Sequence, residues 1–301
     1  MELTYKVNDK PSFGKTIVYA LQQLLAILAA TIAVPTIIGN GMSQSAALFG
    51  AGVGTLVYLL FTKFKSPAFL GSSFAFLGSM AAAFGGGVTA SLGYLGLLIG
   101  AAFAGLVYVV IAVIVKFAGT GWINKVMPAV VIGPTVAIIG LSLAGNAVGD
   151  LMKGNVFVEK IVEGQASTVM ATSPYIALLC GIVTLFVTIV ASVYGNKSIK
   201  LIPFIIGIVA GYAVAALFTG IGYWANIDAL KVIDFSKFAH MEWVPSFAFL
   251  KAFDGNYGDA NIGQYIGTIA VAYMPVAFVV FAEHIADHKN LSSIIGQDLT
   301  E

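Results

Sequence analysis

The chain has 301 residues, of which 59% are hydrophobic and 10% are charged, and its mean hydropathy is +0.94. Soluble domains carry about 25% charged residues, so this composition excludes an ordinary soluble protein and predicts an all-α polytopic membrane protein. The net charge is +1, and the sequence contains no basic patch with interleaved aromatic residues. It therefore gives no sign of nucleic-acid binding. A single cysteine, Cys180, excludes an internal disulfide and a cysteine metal cluster.

Eight apolar segments are long enough to cross a bilayer as helices, which takes about 20 residues each. They cover residues 16–38, 44–62, 67–84, 92–116, 126–145, 173–194, 201–223 and 262–283. The runs are continuously apolar rather than alternating, which disfavours a membrane β-barrel.

Lysines are distributed unevenly between these segments. The N-terminal segment and the loops after the second, fourth and sixth spans carry lysines, whereas the short loops 39–43 and 85–91 carry none. Cytoplasmic loops of membrane proteins hold the excess of Lys and Arg. This alternation predicts a multi-pass protein of the cytoplasmic (inner) membrane with its N-terminus in the cytoplasm.

Two of the segments carry polar or kinking residues. Gln22 and Gln23 in the first span need hydrogen-bond partners inside the bundle, which either a clamp between helices or a binding site would supply. Pro128 and Pro134 each free a backbone carbonyl, so the fifth span is expected to be bent.

The third segment reads SPAFLGSSFAFLGSMAAAFGGG, and Pro67 and several small residues interrupt its apolar run. Glycine and serine can serve close packing between helices. Alternatively, the segment is unwound at mid-membrane depth and lines a cavity, as in transporters whose discontinuous helices contact substrate through freed backbone groups. The residues alone leave both interpretations open.

The stretch FVVFAEHIADHKN ends the last span with a polar cluster. Glu283 and Asp287 share one helix face at i, i+4 spacing, and His284 and His288 share a neighbouring face. Hydropathy alone leaves Glu283 either at the membrane interface or inside the bundle. An amphipathic pattern follows without an early helix breaker, so the helix is predicted to continue to about Ile295 with its polar stripe facing a cavity. A carboxylate inside a bundle is a functional-site hypothesis by default.

The cluster also raises the question of a metal site or a hydrolase. The zincin order is His-Glu-x-x-His, which differs from the Glu-His-x-x-Asp-His found here, and no third histidine lies nearby in the sequence. No P-loop, GxGxxG fingerprint or serine nucleophile elbow is present. We therefore expect neither a metal site nor an enzyme.

Four stretches together carry a family resemblance: LQQLLAILAATIAVP, PAFLGSSFAF, VMPAVVIGPTVAIIGLSLA and AEHIADHKNLSSIIGQDL. In their order and spacing the chain resembles the nucleobase–ascorbate transporter family (the nucleobase:cation symporter-2 type), and within it the bacterial uracil permease branch. The resemblance implies a fold of fourteen spans arranged as two inverted seven-span repeats, with spans three and ten broken by short strands.

By this resemblance residues 1–301 form one transmembrane transporter domain. The first repeat covers about residues 16–223, and the second begins within about 262–301. The chain then holds about eight spans of the family fold and is expected to be a fragment of a longer transporter.

The resemblance also implies which residues bind the base. Glu283 corresponds to the glutamate that binds the base and is linked to proton coupling, and Phe74 to the phenylalanine whose backbone amide meets it. Ala30 corresponds to the small residue near the ring, and Ser73 is assigned to the same substrate-binding set.

A polar network of Glu283, Asp287 and Gln23 is implied beside the base. The family usually has a Gln-His pair where this chain has Gln22 and Gln23, so the second residue departs from the pattern. The proton is the expected coupling ion, with no further cofactor.

These correspondences predict proton-coupled symport of a nucleobase, and uracil is favoured because GSSFAF and EHIADH resemble that branch most closely. A xanthine or purine permease of the same family is the first alternative. An anion transporter or channel of the same fold would need a cationic group near the broken helices, and no lysine lies deep in a predicted span. The expected partners are the nucleobase and the lipid bilayer, with a homodimer left open.

The 301-residue chain, expressed alone, is expected to be unstable or inactive, because the strand expected in span three would expose an unpaired backbone edge at membrane depth. Uracil uptake by a permease-null strain that expresses residues 1–301 measures this. Robust proton-dependent uptake would contradict the expectation.

Overall fold

The computed structural model describes residue 5 and residues 9–154, 156–162, 165–196, 199–240, 244–296 and 299. These residues form ten α-helices and one two-stranded sheet. In chain order they are α1 (Phe13–Ile38), α2 (Gln44–Phe61), α3 (Leu77–Ala83), α4 (Ala90–Ala118), α5 (Gly121–Val126), α6 (Ala129–Ser142), α7 (Ala144–Leu151), β1 (Phe157–Val162), β2 (Gln165–Met170), α8 (Pro174–Tyr194), α9 (Pro203–Trp224) and α10 (Ile262–Ile295).

Seven helical stretches in the described part of the chain are long and apolar enough to cross a membrane. They are α1, α2, α4, residues 130–151, α8, α9 and α10, and they match seven of the eight predicted spans. The chain is therefore a multi-pass, mainly helical membrane protein, as predicted. The division into inverted repeats stays a prediction.

The third predicted span is the exception, because residues 67–73 are not helical. A 3-10 turn at Phe74–Phe76 follows and continues into the short helix α3. Of the two interpretations left open by the residues, the unwound segment is the one observed. Residues 67–73 form no strand pairing with the described part of the chain.

The fifth span differs from its predicted bounds of 126–145. Helix α6 begins after Pro128 and runs through Pro134, and after a break at Leu143 the chain continues as α7 to Leu151. The helix is therefore interrupted at Leu143 and not at Pro134, and the expected bend stays a prediction. Asp150, expected in a loop, lies in the last turn of α7, where Lys153 Nζ is 2.9 Å from its carboxylate.

No helix or strand was predicted between the fifth and sixth spans, but residues 157–170 contain two strands. Strands β1 and β2 pair in antiparallel fashion, with Phe157 opposite Met170 and Val162 opposite Gln165. The run FVEKIV contains three β-branched residues and a phenylalanine, which are residue types that favour strands.

The chain divides into two compact units, one of residues 1–12, 28–141 and 243–301, the other of residues 13–27 and 142–242. In the second unit α8 packs along α9. The bare Cα atoms of Gly207 and Gly211 face Thr188 and Thr184, and any Cβ there would overlap these threonines. Small residues at such positions let two membrane helices approach closely.

In the first unit α10 packs along α4 through a similar seam. Gly96 and Gly100 of α4 face the rings of Tyr265 and Tyr273 of α10. The Tyr265 hydroxyl donates to the carbonyl oxygens of Ala83 and Leu92, at 2.8 and 3.0 Å, so this buried ring has a polar partner. These contacts hold the N-terminal part of α10 against α4.

Helix α10 has 34 residues and is about 51 Å long. The Asn261 side chain accepts a hydrogen bond from the Gln264 amide at its start, and Gly296 ends it in the left-handed conformation that glycine tolerates. Pro275 does not end the helix. The prediction that this helix continues past Glu283 to about Ile295 is confirmed.

Replacing Gly100 by Ala should destabilise the α4–α10 seam, because the added Cβ overlaps the Tyr273 ring. We expect a loss of about 1–3 kcal/mol in unfolding free energy, as for other overpacked sites. Gly105→Ala on the same helix is the control, since a Cβ there meets no atom within 4 Å. Thermal unfolding of the two purified variants makes the comparison, and equal transition temperatures would contradict the seam.

Candidate functional site

The acids of the polar cluster lie on α10 where it passes α4. Glu283 is half-buried and Asp287, one turn later, is exposed. The Tyr108 hydroxyl of α4 lies 2.9 Å from Nδ1 of the adjacent His284, and α4 continues for about 15 Å beyond Tyr108. Apolar residues of α4 therefore lie both before and after the point where this helix passes Glu283. This favours a position of Glu283 inside the helix bundle over one at the membrane interface.

The two histidines of the cluster are held by hydrogen bonds. Nε2 of His288 lies 2.9 Å from the hydroxyl of Tyr58 in α2, and its Nδ1 lies 2.8 Å from the carbonyl oxygen of His284. With the Tyr108 contact to His284, both side chains have protein partners. The histidines thus join α10 to two neighbouring helices.

The two acids differ from the histidines in this respect. Among the described residues, none donates a hydrogen bond to the carboxylate of Glu283 or of Asp287. A half-buried carboxylate needs a hydrogen-bond donor, because its desolvation is otherwise uncompensated. Water or a polar solute can supply that donor at Glu283.

Two hydroxyl groups hold the unwound segment at residues 67–73. The Leu70 amide donates to Thr55 Oγ1 of α2 at 2.9 Å, and Ser72 Oγ donates to the Thr31 carbonyl oxygen of α1 at 3.0 Å. Gly71 lies against α1, where an added Cβ would be 3.2 Å from Thr31 Oγ1. The segment is therefore fixed between α1 and α2 without helical hydrogen bonds of its own.

The backbone N–H groups of Ser73 and Phe74 donate to no other group in the described part of the chain. Both residues are half-buried. Free amides at this depth are available to a bound solute, because irregular backbone inside a membrane protein is tolerated where it lines a cavity.

Helix α10 runs past the unwound segment and contacts it at both ends. Ser66, which precedes the segment, lies 3.4 Å from Nε2 of His288. Phe76, which follows it, stacks on Tyr273 with ring centroids 5.5 Å apart. These two points are roughly 22 Å apart along α10, and Glu283 lies between them. The acid thus lies on the stretch of α10 between its contacts with the two residues that flank the unwound segment.

The remaining predicted site residues are divided between the units. Ala30 is exposed on α1, next to the Thr31 carbonyl that binds Ser72. Gln23 is exposed on the first half of α1, which belongs to the second unit. Its contribution to the Glu283 network stays a prediction.

Sequence reasoning did not identify the residues that hold this site. Thr31, Thr55, Tyr58 and Tyr108 are ordinary polar or aromatic residues within apolar spans, and their partners lie far away in the chain. The one available signal was the cost of burying a hydroxyl, which predicts a partner without naming it.

Each unit also contains a cavity lined by described residues. The cavity of the second unit has a volume of about 560 Å³ and lies between α7, α8 and α9. Its Thr184 and Thr188 hydroxyls already donate to the carbonyls of residues four earlier. The cavity of the first unit is about 210 Å³, and its walls include Ser72, Tyr94 and Phe247. Neither lining contains an unpartnered charge comparable to Glu283.

The described residues contain no group of three or more His, Cys, Asp or Glu side chains arranged to hold a metal ion. In the polar cluster the histidine nitrogens are directed at hydroxyls and a carbonyl instead.

Replacing Thr55 by Val should leave the Leu70 amide without its acceptor at membrane depth. We expect a loss of about 1–3 kcal/mol in unfolding free energy, the cost of one unsatisfied buried group. Thr135→Val is the control, because Thr135 bonds only the Val131 carbonyl within its own helix. Denaturation of both variants in detergent measures the difference, and an equal loss in the two would contradict this role of Thr55.

Comparison with known proteins places the chain in a family. A family model described as a permease family (Xan_ur_permease) matches residues 14–301. The chain is 38% identical over 296 residues to the uracil permease of Bacillus caldolyticus, covering 98% of this chain and 60% of that protein. It is 37% identical over 292 residues to the uracil permease of Bacillus subtilis, covering 97% and 59% of the two.

A third relative is the uracil permease of Escherichia coli K12, 31% identical over 293 residues, with 97% of this chain and 58% of that protein covered. The chain thus spans about 60% of the length of these relatives. They are named as transporters, not as enzymes. Because the family model covers nearly the whole chain, the protein belongs to this permease family.

Proposed function

We propose that this chain forms the substrate-binding part of a proton-coupled symporter for a nucleobase, with uracil as the favoured base. The observation that carries the proposal is the half-buried Glu283 carboxylate, which receives no hydrogen bond from the described residues. It lies on α10 between the contacts of this helix with Ser66 and Phe76, the residues that flank the unwound segment. The names of the relatives supply the class of substrate.

Uracil carries ring N–H donors next to carbonyl acceptors, so it needs an acceptor and a donor side by side. In the proposed complex Glu283 accepts from a ring N–H, and the Phe74 amide donates to a ring carbonyl, with Ser73 beside it. Ala30 leaves room for the flat ring. Hydrogen bonds to a charged group are about twice as strong as neutral ones, so Glu283 would contribute most to affinity.

Proton coupling is assigned to the same carboxylate. An acid inside a membrane bundle is costly when charged and marks proton pathways in transporters. In the proposal Glu283 takes up a proton in one state and releases it in the other, with Asp287 and Gln23 organising water around it. The lysine distribution supports a cytoplasmic N-terminus in the inner membrane, so that protons and base enter together from outside.

The substitution Glu283→Gln in the full-length protein tests the proposal. It removes the charge and the proton but keeps the shape, and we expect uracil binding to weaken at least about tenfold. Uptake should fall in parallel and lose its dependence on external pH. Binding of radiolabelled uracil to purified protein and uptake in a permease-null strain measure the two effects.

The matched control is Asp254→Asn, because Asp254 is an exposed acid that follows the 3-10 helix Ala248–Phe253 in the same unit. It should bind and transport uracil as the unsubstituted protein does. Glu283→Gln with unchanged affinity and pH dependence would overturn the assignment of Glu283. If the unsubstituted protein neither binds nor transports uracil, the assignment of uracil as the substrate would be overturned.

A further inference from the structure

The two histidines of the polar cluster take no part in the proposed base binding or proton exchange. His288 is half-buried, and its Nε2 lies 2.9 Å from the Tyr58 hydroxyl and 3.4 Å from Ser66 Oγ. The Tyr58 hydroxyl also lies 2.8 Å from Ser66 Oγ. Side chains from α2 (Tyr58), from the residue before Pro67 (Ser66) and from α10 (His288) are thus in mutual contact.

Both ring nitrogens of His288 are occupied. Nδ1 lies 2.8 Å from the His284 carbonyl oxygen, and since a carbonyl has no proton to give, Nδ1 is the donor. Nε2 is paired with Tyr58. The ring therefore offers no free nitrogen to a solute or a metal, and its partners fix its orientation.

This meeting point lies one turn beyond Glu283 and directly before the unwound segment. At the far end of the segment Phe76 stacks on Tyr273 and Ser79 Oγ donates to the Ala272 carbonyl at 2.7 Å. The segment and α10 are therefore joined at two places, with Glu283 between them. Without the His288 contact, the ring stack and the Ser79 hydrogen bond at the far end would still join the two.

We infer that Tyr58 and His288 are positioning residues, whose hydrogen bond sets the distance between the Glu283 carboxylate and the amides of the unwound segment. Neither residue contacts the base. The inference rests on the proposed function, because the distance matters only if both groups bind the same solute. Small misplacement of binding groups is enough to weaken a bound state.

The first test is Tyr58→Phe in the full-length protein, with uracil uptake measured against concentration. Loss of this one hydrogen bond should raise KM by about fivefold. The maximal rate per transporter in the membrane should stay within about twofold, because the exchanging groups are intact. A purely structural role would instead reduce the number of folded transporters and lower the maximal rate with KM unchanged.

Two His288 variants distinguish loss of the hydrogen bond from a change in side-chain volume. His288→Gln keeps a side chain that can bond the Tyr58 hydroxyl, so KM should remain within about twofold of the original value. His288→Leu cannot bond it and should raise KM as Tyr58→Phe does. The double variant Tyr58→Phe, His288→Leu should have a KM no higher than that of the more impaired single variant, because both substitutions remove the same interaction.

Tyr175→Phe is the matched control, since this tyrosine is 80% exposed at the start of α8 in the second unit. Unchanged KM in Tyr58→Phe and His288→Leu, or KM changes that multiply in the double variant, would overturn the inference while leaving uracil transport established. Absence of uracil transport in the unsubstituted protein would instead overturn the proposed function.

Discussion

The backbone of residues 67–73 has no helical hydrogen bonds of its own within a bundle of membrane-spanning helices, and its polar groups must be satisfied there. Each unsatisfied peptide group inside a membrane costs several kcal/mol. Thr55 and Ser72 satisfy part of the demand by tying the segment to α2 and α1. The amides of Ser73 and Phe74 remain without partners in the described residues, and this unmet demand supports the proposal that the region binds a solute.

Helix α10 carries the polar cluster and contacts Ser66 and Phe76, the residues that flank the unwound segment. In its polar cluster the histidines are bonded to tyrosines of α2 and α4, whereas the Glu283 carboxylate accepts no hydrogen bond from the described residues. The glycine seam with α4 at one end and the His288 contact at the other hold the helix in register. A helix held at both ends that carries a half-buried carboxylate without a protein donor suits the proposed site, which would bind and release both a base and a proton.

The sequence predicted most of the long helices because hydropathy over about 20 residues is a strong signal. It predicted the continuation of α10 from the pattern after Asp287, and it offered the unwinding after Pro67 as one of two interpretations. The strand pair at 157–170 was missed because its segments are short and lie among polar residues. The contact between Tyr58 and His288 could not be predicted, since pairing across 230 residues depends on tertiary packing.

The central claim is that one base binds between the Glu283 carboxylate and the free amides of the unwound segment. A structure of the full-length protein with uracil bound tests it most directly. The account predicts density for the ring within hydrogen-bonding distance of Glu283 and of the Ser73 or Phe74 amide. Uracil bound instead in the cavity between α7, α8 and α9, with Glu283 contacting only water, would contradict it.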